Sequence, residues 1–224
     1  MPNPRILALI VLLLLAFSFS LSAAEPLVAA KASLAPVIDG RLDEAVWETG
    51  LKFTDFKTYK PDYDKEPSQK TDAYFLFDAE NIYVAFRCYD TDPSRIKANI
   101  SKRDDMFADD CVIFCLDSFS DAQNAYLFFM NPLGIQGDGL MNSIGNMDPS
   151  TDFVWYSKGQ IDDRGYSVEC RIPLQSIRFA SRKTVTMGMV FVRQIVRTSE
   201  NSSFPPIFPD KGSLISQLQP VSIT

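Results

Sequence analysis

The strongest regularity in the chain is a two-residue alternation of apolar and polar positions, broken at intervals by turn-forming residues. That period predicts β-strands, because successive side chains on a strand point to opposite faces. Thr71 to Phe77 alternates, Asp78-Ala79-Glu80-Asn81 is a turn cluster, and Ile82 to Asp90 alternates again. In the last of these Ile82, Val84, Phe86 and Cys88 share one face, with Tyr83, Ala85, Arg87 and Tyr89 opposite, so the two runs predict a hairpin. Cys111 to Leu116 is apolar throughout, as expected of a strand covered on both faces. Tyr126 to Met130 and Ile135 to Leu140 flank Asn131-Pro132-Leu133-Gly134, a turn with fixed φ at its proline and freedom for positive φ at its glycine.

Phe153 to Gln160 reads as another strand, and Asp162-Asp163-Arg164-Gly165 as a third hairpin turn. Tyr166 to Ile172 follows, with Tyr166, Val168, Cys170 and Ile172 on one face; Pro173 stops it, and Leu174 to Phe179 suits a short helical turn. Thr184 to Arg197 predicts a long strand, Phe204 to Pro209 an ordered proline-rich loop, and Val221 to Ile223 a closing strand. Near the start, Ile38-Asp39-Gly40 is a turn, and Asp43 is placed to cap a short helix carrying Ala45, Val46 and a core Trp47. Many short strands without a long helix predict an all-β fold, a β-sandwich or jelly roll of mostly antiparallel strands.

Composition narrows the chemistry. Arg5, the apolar run Ile6 to Leu21 and the small residues Ser22-Ala23-Ala24 form a secretory signal pattern. The expectation is a signal peptide over residues 1–24 and a domain over 25–224, exported to the periplasm, the outer membrane or the medium. The net charge is −6 without a Lys/Arg-rich run, which argues against nucleic acid or an anionic membrane as partner. With no histidine, Ser-His-Asp and Cys-His nucleophiles and His-ligated zinc or copper are excluded.

Four cysteines remain: Cys88, Cys111, Cys115 and Cys170. Cys111 and Cys115 lie about 13 Å apart on one strand at a rise of ~3.3 Å per residue, beyond the ~7 Å a disulfide spans. Export would allow Cys88–Cys111 with Cys115–Cys170, or Cys88–Cys115 with Cys111–Cys170. The other reading, which the size of the core favours, is four small buried hydrophobes.

Two constellations could bind a ligand. The acidic stretch Arg103-Asp104-Asp105-Met106-Phe107-Ala108-Asp109-Asp110 offers calcium the oxygens of Asp104, Asp105 and Asp109, though without EF-hand spacing. The competing reading is turn capping with Arg103 paired to one of the acids; a catalytic carboxylate pair is disfavoured, since adjacent aspartates on a strand diverge. Phe107, Trp155 and Phe204 each lie near a loop or strand end, where an exposed ring can stack on the apolar face of a pyranose.

Four blocks in order resemble family 9 carbohydrate-binding modules. They are Val37-Ile38-Asp39-Gly40 through Leu42-Asp43-Glu44-Ala45-Val46-Trp47, Asn81 to Phe86, Asp110 to Asp117, and Gly165 to Pro173. Asn131-Pro132-Leu133-Gly134, Gly137-Asp138-Gly139 and Arg178-Phe179 resemble the variant found N-terminal to some bacterial outer-membrane β-barrels. The resemblance implies a β-sandwich that clamps a terminal sugar of an oligo- or polysaccharide between two rings, without catalysis, in support of polysaccharide catabolism. By position Phe107 and Phe204 resemble the two rings and Asn201 a polar contact, with Asp105 a further candidate hydrogen-bonding group. The family's sugar-binding carboxylate and arginine are replaced by Ile113 and Phe129. These departures open an alternative, an interaction module without a sugar ligand. In relatives the partners implied are an outer-membrane barrel or a hydrolase domain.

Overall fold

The computed structural model describes residues 25–224 and turns the alternating segments into strands. In chain order these are β1 (Leu27–Val28), β2 (Leu51–Phe53), β3 (Lys57–Lys60), β4 (Thr71–Phe77), β5 (Asn81–Tyr89), β6 (Cys111–Asp117) and β7 (Asn124–Met130). They continue with β8 (Gln136–Asn142), β9 (Met147–Asp148), β10 (Tyr156–Asp162), β11 (Gly165–Pro173), β12 (Val185–Ile195), β13 (Glu200–Phe204) and β14 (Gln219–Ile223). One sheet runs β1-β14-β12-β6-β7-β8-β9, with β13 also pairing with β12 and β3 beyond it; the other runs β10-β11-β5-β4-β2. All pairings are antiparallel except β1 with β14. The longest helical segment among the described residues is the five-residue 3-10 turn Ala45–Thr49. The fold is a β-sandwich. The signal-peptide expectation lies outside the described residues.

The inner faces of the two sheets close on an aromatic core. Phe191 of β12 stacks on Phe53 at 4.6 Å, and meets Phe114 at 5.3 Å and Phe86 at 5.9 Å between ring centroids. Each such side chain contributes about 1.5–3 kcal/mol through burial alone. Turn chemistry sets the register of the hairpins. Asp78 Oδ1 accepts the N–H groups of Glu80 and Asn81, both at 2.8 Å, and Asn131 Oδ1 accepts those of Leu133 and Ile135. Gly134 adopts φ 77°, the conformation its turn demands.

Three expectations about elements change. Asp43 does not cap the 45–49 turn; Glu44 occupies that position without a side-chain cap, and Asp43 pairs with Arg41 at 3.2 Å. The strand expected from Phe153 begins at Tyr156, because Phe153 and Trp155 turn inward onto Phe128, at 6.2 and 5.2 Å. Only Leu174–Ser176 of the expected helical turn is helical, a 3-10 turn.

The four cysteines are buried free thiols. Cys88 and Cys170 face the core between the sheets, whereas Cys111 and Cys115 face the outer side of the nine-stranded sheet. Parity therefore separates the pairs that both candidate disulfide schemes require. Burial raises every one of these thiols, Cys111 to about 12. Since the thiolate is the reactive form, a thiol reagent such as DTNB is expected to label the folded protein negligibly within minutes and all four sites in guanidinium. Fast labelling of the native state would contradict this burial.

The opening segment seals the outer face of the five-stranded sheet. The N–H groups of Asp39 and Gly40 donate to Glu169 Oε2 at 3.0 and 2.7 Å, and the Trp47 indole donates to Oε1 at 2.9 Å. Ser167 Oγ donates to the carbonyl of Gly40 at 2.6 Å. Gly40 has φ 91°, and a Cβ there would lie 2.9 Å from the carbonyl carbon of Gly159, so only glycine fits this crossing. Trp47, Leu76, Tyr83 and Ala85 form a small apolar cluster beneath the segment.

Candidate functional site

The outer face of the nine-stranded sheet is built from rows of paired residues. Ser203, Val192, Ile113 and Phe129 lie in one row and Asn201, Gln194 and Cys111 in the next. Met106 is buried against this face and anchors the 103–110 loop. Phe107, one residue on, stands out from it, 48% exposed, and packs edge-on against Phe129 at 5.3 Å and 83°. Ile207 and Ile215, from the segment between β13 and β14, also pack on this face. The positions where the resemblance implies a carboxylate and an arginine are thus part of an apolar layer.

The second expected ring is elsewhere. Phe204 pairs with Phe191, and residues paired across antiparallel strands share a face. Its ring lies 4.9 Å from Phe53 and 6.4 Å from Phe56, on the inner side of the sheet. Asn201 and Phe204 are three residues apart on one strand, and an odd spacing sends side chains to opposite faces. The structure therefore does not bring Phe107 and Phe204 together as the expected two-ring clamp requires, and Asn201 lies on the outer face, as Phe107 does. Trp155 is also displaced from the expected role: it is 4% exposed and set edge-on to Phe128, so its ring faces offer no stacking surface. Asp105 is exposed on the loop, adjacent in sequence to Met106.

The three aspartates expected to hold calcium do not converge. Asp109 is buried and accepts Asn99 N, Asn99 Nδ2 and Asn131 Nδ2 at 2.8, 2.5 and 3.0 Å, a loop-bracing role. Among the described residues, Asp104 instead groups with Asp138 and Asp152, their oxygens within 4.8 Å of one another. Arg103 already meets that negative charge. Its Nε donates to Asp138 Oδ1 at 2.9 Å, its other nitrogens to Gln136 Oε1 and the Phe153 carbonyl at 2.6 and 2.9 Å, and Nε lies 3.4 Å from Asp152. A guanidinium in the middle of the carboxylates does not fit a metal ion there; Arg103 hydrogen-bonds Asp138, outside the acidic run, and Asp104 and Asp109 brace distant segments rather than cap turns of their own loop.

A further ring is exposed on the other sheet. Tyr156 is 47% exposed on the outer face of the five-stranded sheet, in register with Arg171, whose guanidinium lies 4.4 Å from the ring centroid. Its signal was available in the sequence. Tyr156, Lys158 and Gln160 share parity opposite Ser157 and Gly159, but the even positions carry no apolar run that would mark them as a core face.

The family model for the carbohydrate family 9 binding domain-like domains matches residues 38–202. The chain belongs to this family. Solved family 9 modules share its fold. One from Caldicellulosiruptor kristjanssonii in complex with cellotriose is 16% identical, with 89% of this chain and 94% of that one covered and a TM-score of 0.62. One in complex with glucose, from the same organism, is 15% identical over 89% and 96%, with a TM-score of 0.61. A putative carbohydrate-binding protein from Bacteroides uniformis is 12% identical over 88% and 97%, at a TM-score of 0.61. No curated protein matches the chain. The family is one of binding modules, and no catalytic family is indicated.

Proposed function

We propose that this family 9 domain is an exported, non-catalytic carbohydrate-binding module that serves polysaccharide catabolism by holding an oligo- or polysaccharide. The observation that carries the reading is the half-exposed Phe107 ring, seated on Phe129 at the edge of the outer face of the nine-stranded sheet. A supported ring loses little freedom when a pyranose stacks on it. Asn201, on the same face, and Asp105, on the same loop, supply polar groups for the hydroxyl rim. One ring without the implied arginine and carboxylate makes for weak binding, in the millimolar range typical of ~4 kcal/mol.

Phe107→Ala is expected to weaken cellotriose binding about tenfold in isothermal titration, the value of one lost aromatic contact of roughly 1.4 kcal/mol. Equal affinity in wild type and variant would remove the ring from the site. A second reading, an interaction module at the periplasmic or outer-membrane surface without a sugar ligand, is favoured by the apolar Ile113 and Phe129. A glycan array without hits at millimolar sugar would promote it. Hydrolysis is not expected, because Arg103 and backbone N–H groups hold the carboxylates that converge.

A further inference from the structure

A second concave surface lies on the other sheet. A cleft of about 560 Å³ is bounded by Pro36, Val37 and Ile38 of the opening segment, by Gln136, and by Trp155 through Lys158 with Arg171. A neighbouring cleft of about 520 Å³ shares Tyr156 and Arg171 with it. The register explains the arrangement: Tyr156 pairs with Arg171 and Lys158 with Glu169, so the even positions of β10 face outward beside the Glu169 clasp. The rim is braced. Gln136 Nε2 donates to the Trp155 carbonyl at 3.1 Å while its Oε1 accepts from Arg103, and Ser157 Oγ donates to the carbonyl of Gly134 at 2.7 Å.

Three features point to a ligand. Among the described residues, the indole Nε1 of Trp155, a residue 4% exposed, and Nε of Arg171 are both buried donors without a partner. A buried N–H left unpaired is unfavourable, and an acceptor in the cleft would relieve that loss. Lys158 and Arg171 form no ion pair among the described residues, and no acid lines the first cleft, although the chain as a whole carries −6. Finally, Arg171 steadies a tyrosine ring that remains 47% exposed, and the volume suits a short saccharide. Donors, cations and one flat apolar platform together select a ring that carries negative charge.

We infer that the Trp155–Tyr156–Lys158–Arg171 cleft binds a carboxylate-bearing saccharide such as a uronic acid unit. The saccharide part of this inference rests on the carbohydrate-binding reading above; the carboxylate part rests on the cleft alone. Tyr156 stacks the ring, Arg171 and Lys158 meet the carboxylate, and the Trp155 indole donates to a ring substituent.

The test is isothermal titration of the protein with trigalacturonate, cellotriose and sodium acetate, on wild type, Arg171→Gln, Lys158→Gln, Tyr156→Ala and Phe107→Ala. Trigalacturonate is expected to bind and to weaken at least tenfold in Arg171→Gln and Tyr156→Ala and severalfold in Lys158→Gln. Affinity should also fall severalfold between 50 and 500 mM salt. Lys158 is exposed on its strand, so its variant reports on the cleft without endangering the fold. Trigalacturonate binding that ignores Arg171 and Lys158 but needs Phe107 overturns the cleft and leaves the carbohydrate reading standing. Cellotriose binding alone, dependent on Phe107, does the same. Acetate binding as tightly as trigalacturonate overturns the saccharide. Absence of binding to every ligand overturns both readings.

Discussion

Glu169→Ala is expected to destabilise the domain by about 3–5 kcal/mol, measured as a drop in urea midpoint, without touching the Phe107 face. The substitution leaves the N–H groups of Asp39 and Gly40 and the Trp47 indole without their acceptor, and each buried orphan donor costs roughly 1–3 kcal/mol. The segment 36–48 would then loosen from the sheet. Against a total stability of about 5–15 kcal/mol, that is a large fraction. A loss below about 1 kcal/mol would mean the clasp holds nothing. The same group gives a pH signature. Burial pushes the Glu169 carboxyl up to about 7, helped by the charge of Glu44 and opposed by its three donors. A folded-state value above the unfolded one, about 4.3, means the folded chain binds more protons in between. Stability from this group is therefore complete below about pH 4 and is lost as pH rises through 7, by at most about 4 kcal/mol. Denaturation across pH 4.5–8 should show this slope in wild type and a flatter profile in Glu169→Gln; parallel profiles would refute it.

Phe204→Ala is expected to cost stability, about 2–3 kcal/mol, rather than affinity. Its ring fills space against Phe53, Phe56 and the pair partner Phe191, and truncating such a ring leaves a cavity the sheets cannot close. Phe107→Ala should do the reverse, since its half-exposed ring can be removed at a cost of under about 1 kcal/mol. Thermal melts and titrations on both variants separate the roles. A Phe204→Ala protein that keeps its stability and loses sugar binding would restore the clamp and overturn the placement of that ring inside the sandwich.

These contrasts mark how far the chain could be read before its fold was known. The alternation in Ile82–Asp90 and in Tyr166–Ile172 named not only strands but their inward faces, because a period of two leaves only one way to bury the apolar set. The unbroken apolar run at Cys111 announced a strand covered on both sides, as β6 is. The ordered blocks around Gly40, Trp47 and Gly165 carried the family. Their shared reason, the Glu169 clasp, joins positions more than 120 residues apart and left no trace in local pattern.

The residues proposed to face a ligand were much less legible. Phe107 and Phe204 look alike in composition and neighbourhood, yet strand parity sends one outward and one into the core. That parity became known only once β13 was paired with β12. Asp104 and Asp109 look like companions in one acidic run, but the backbone N–H of Asp138 donates to the first while Asn99 and Asn131 take the second. Tyr156 and Arg171 become neighbours only through sheet register. Local chemistry in the chain was enough to specify an all-β sandwich, its main hairpins and its kinship, because backbone period and turn residues act over a few positions. Which rings are reachable, which charges are already matched and which donors are left unpaired were decided by tertiary structure, because those depend on what distant strands bring to the same face.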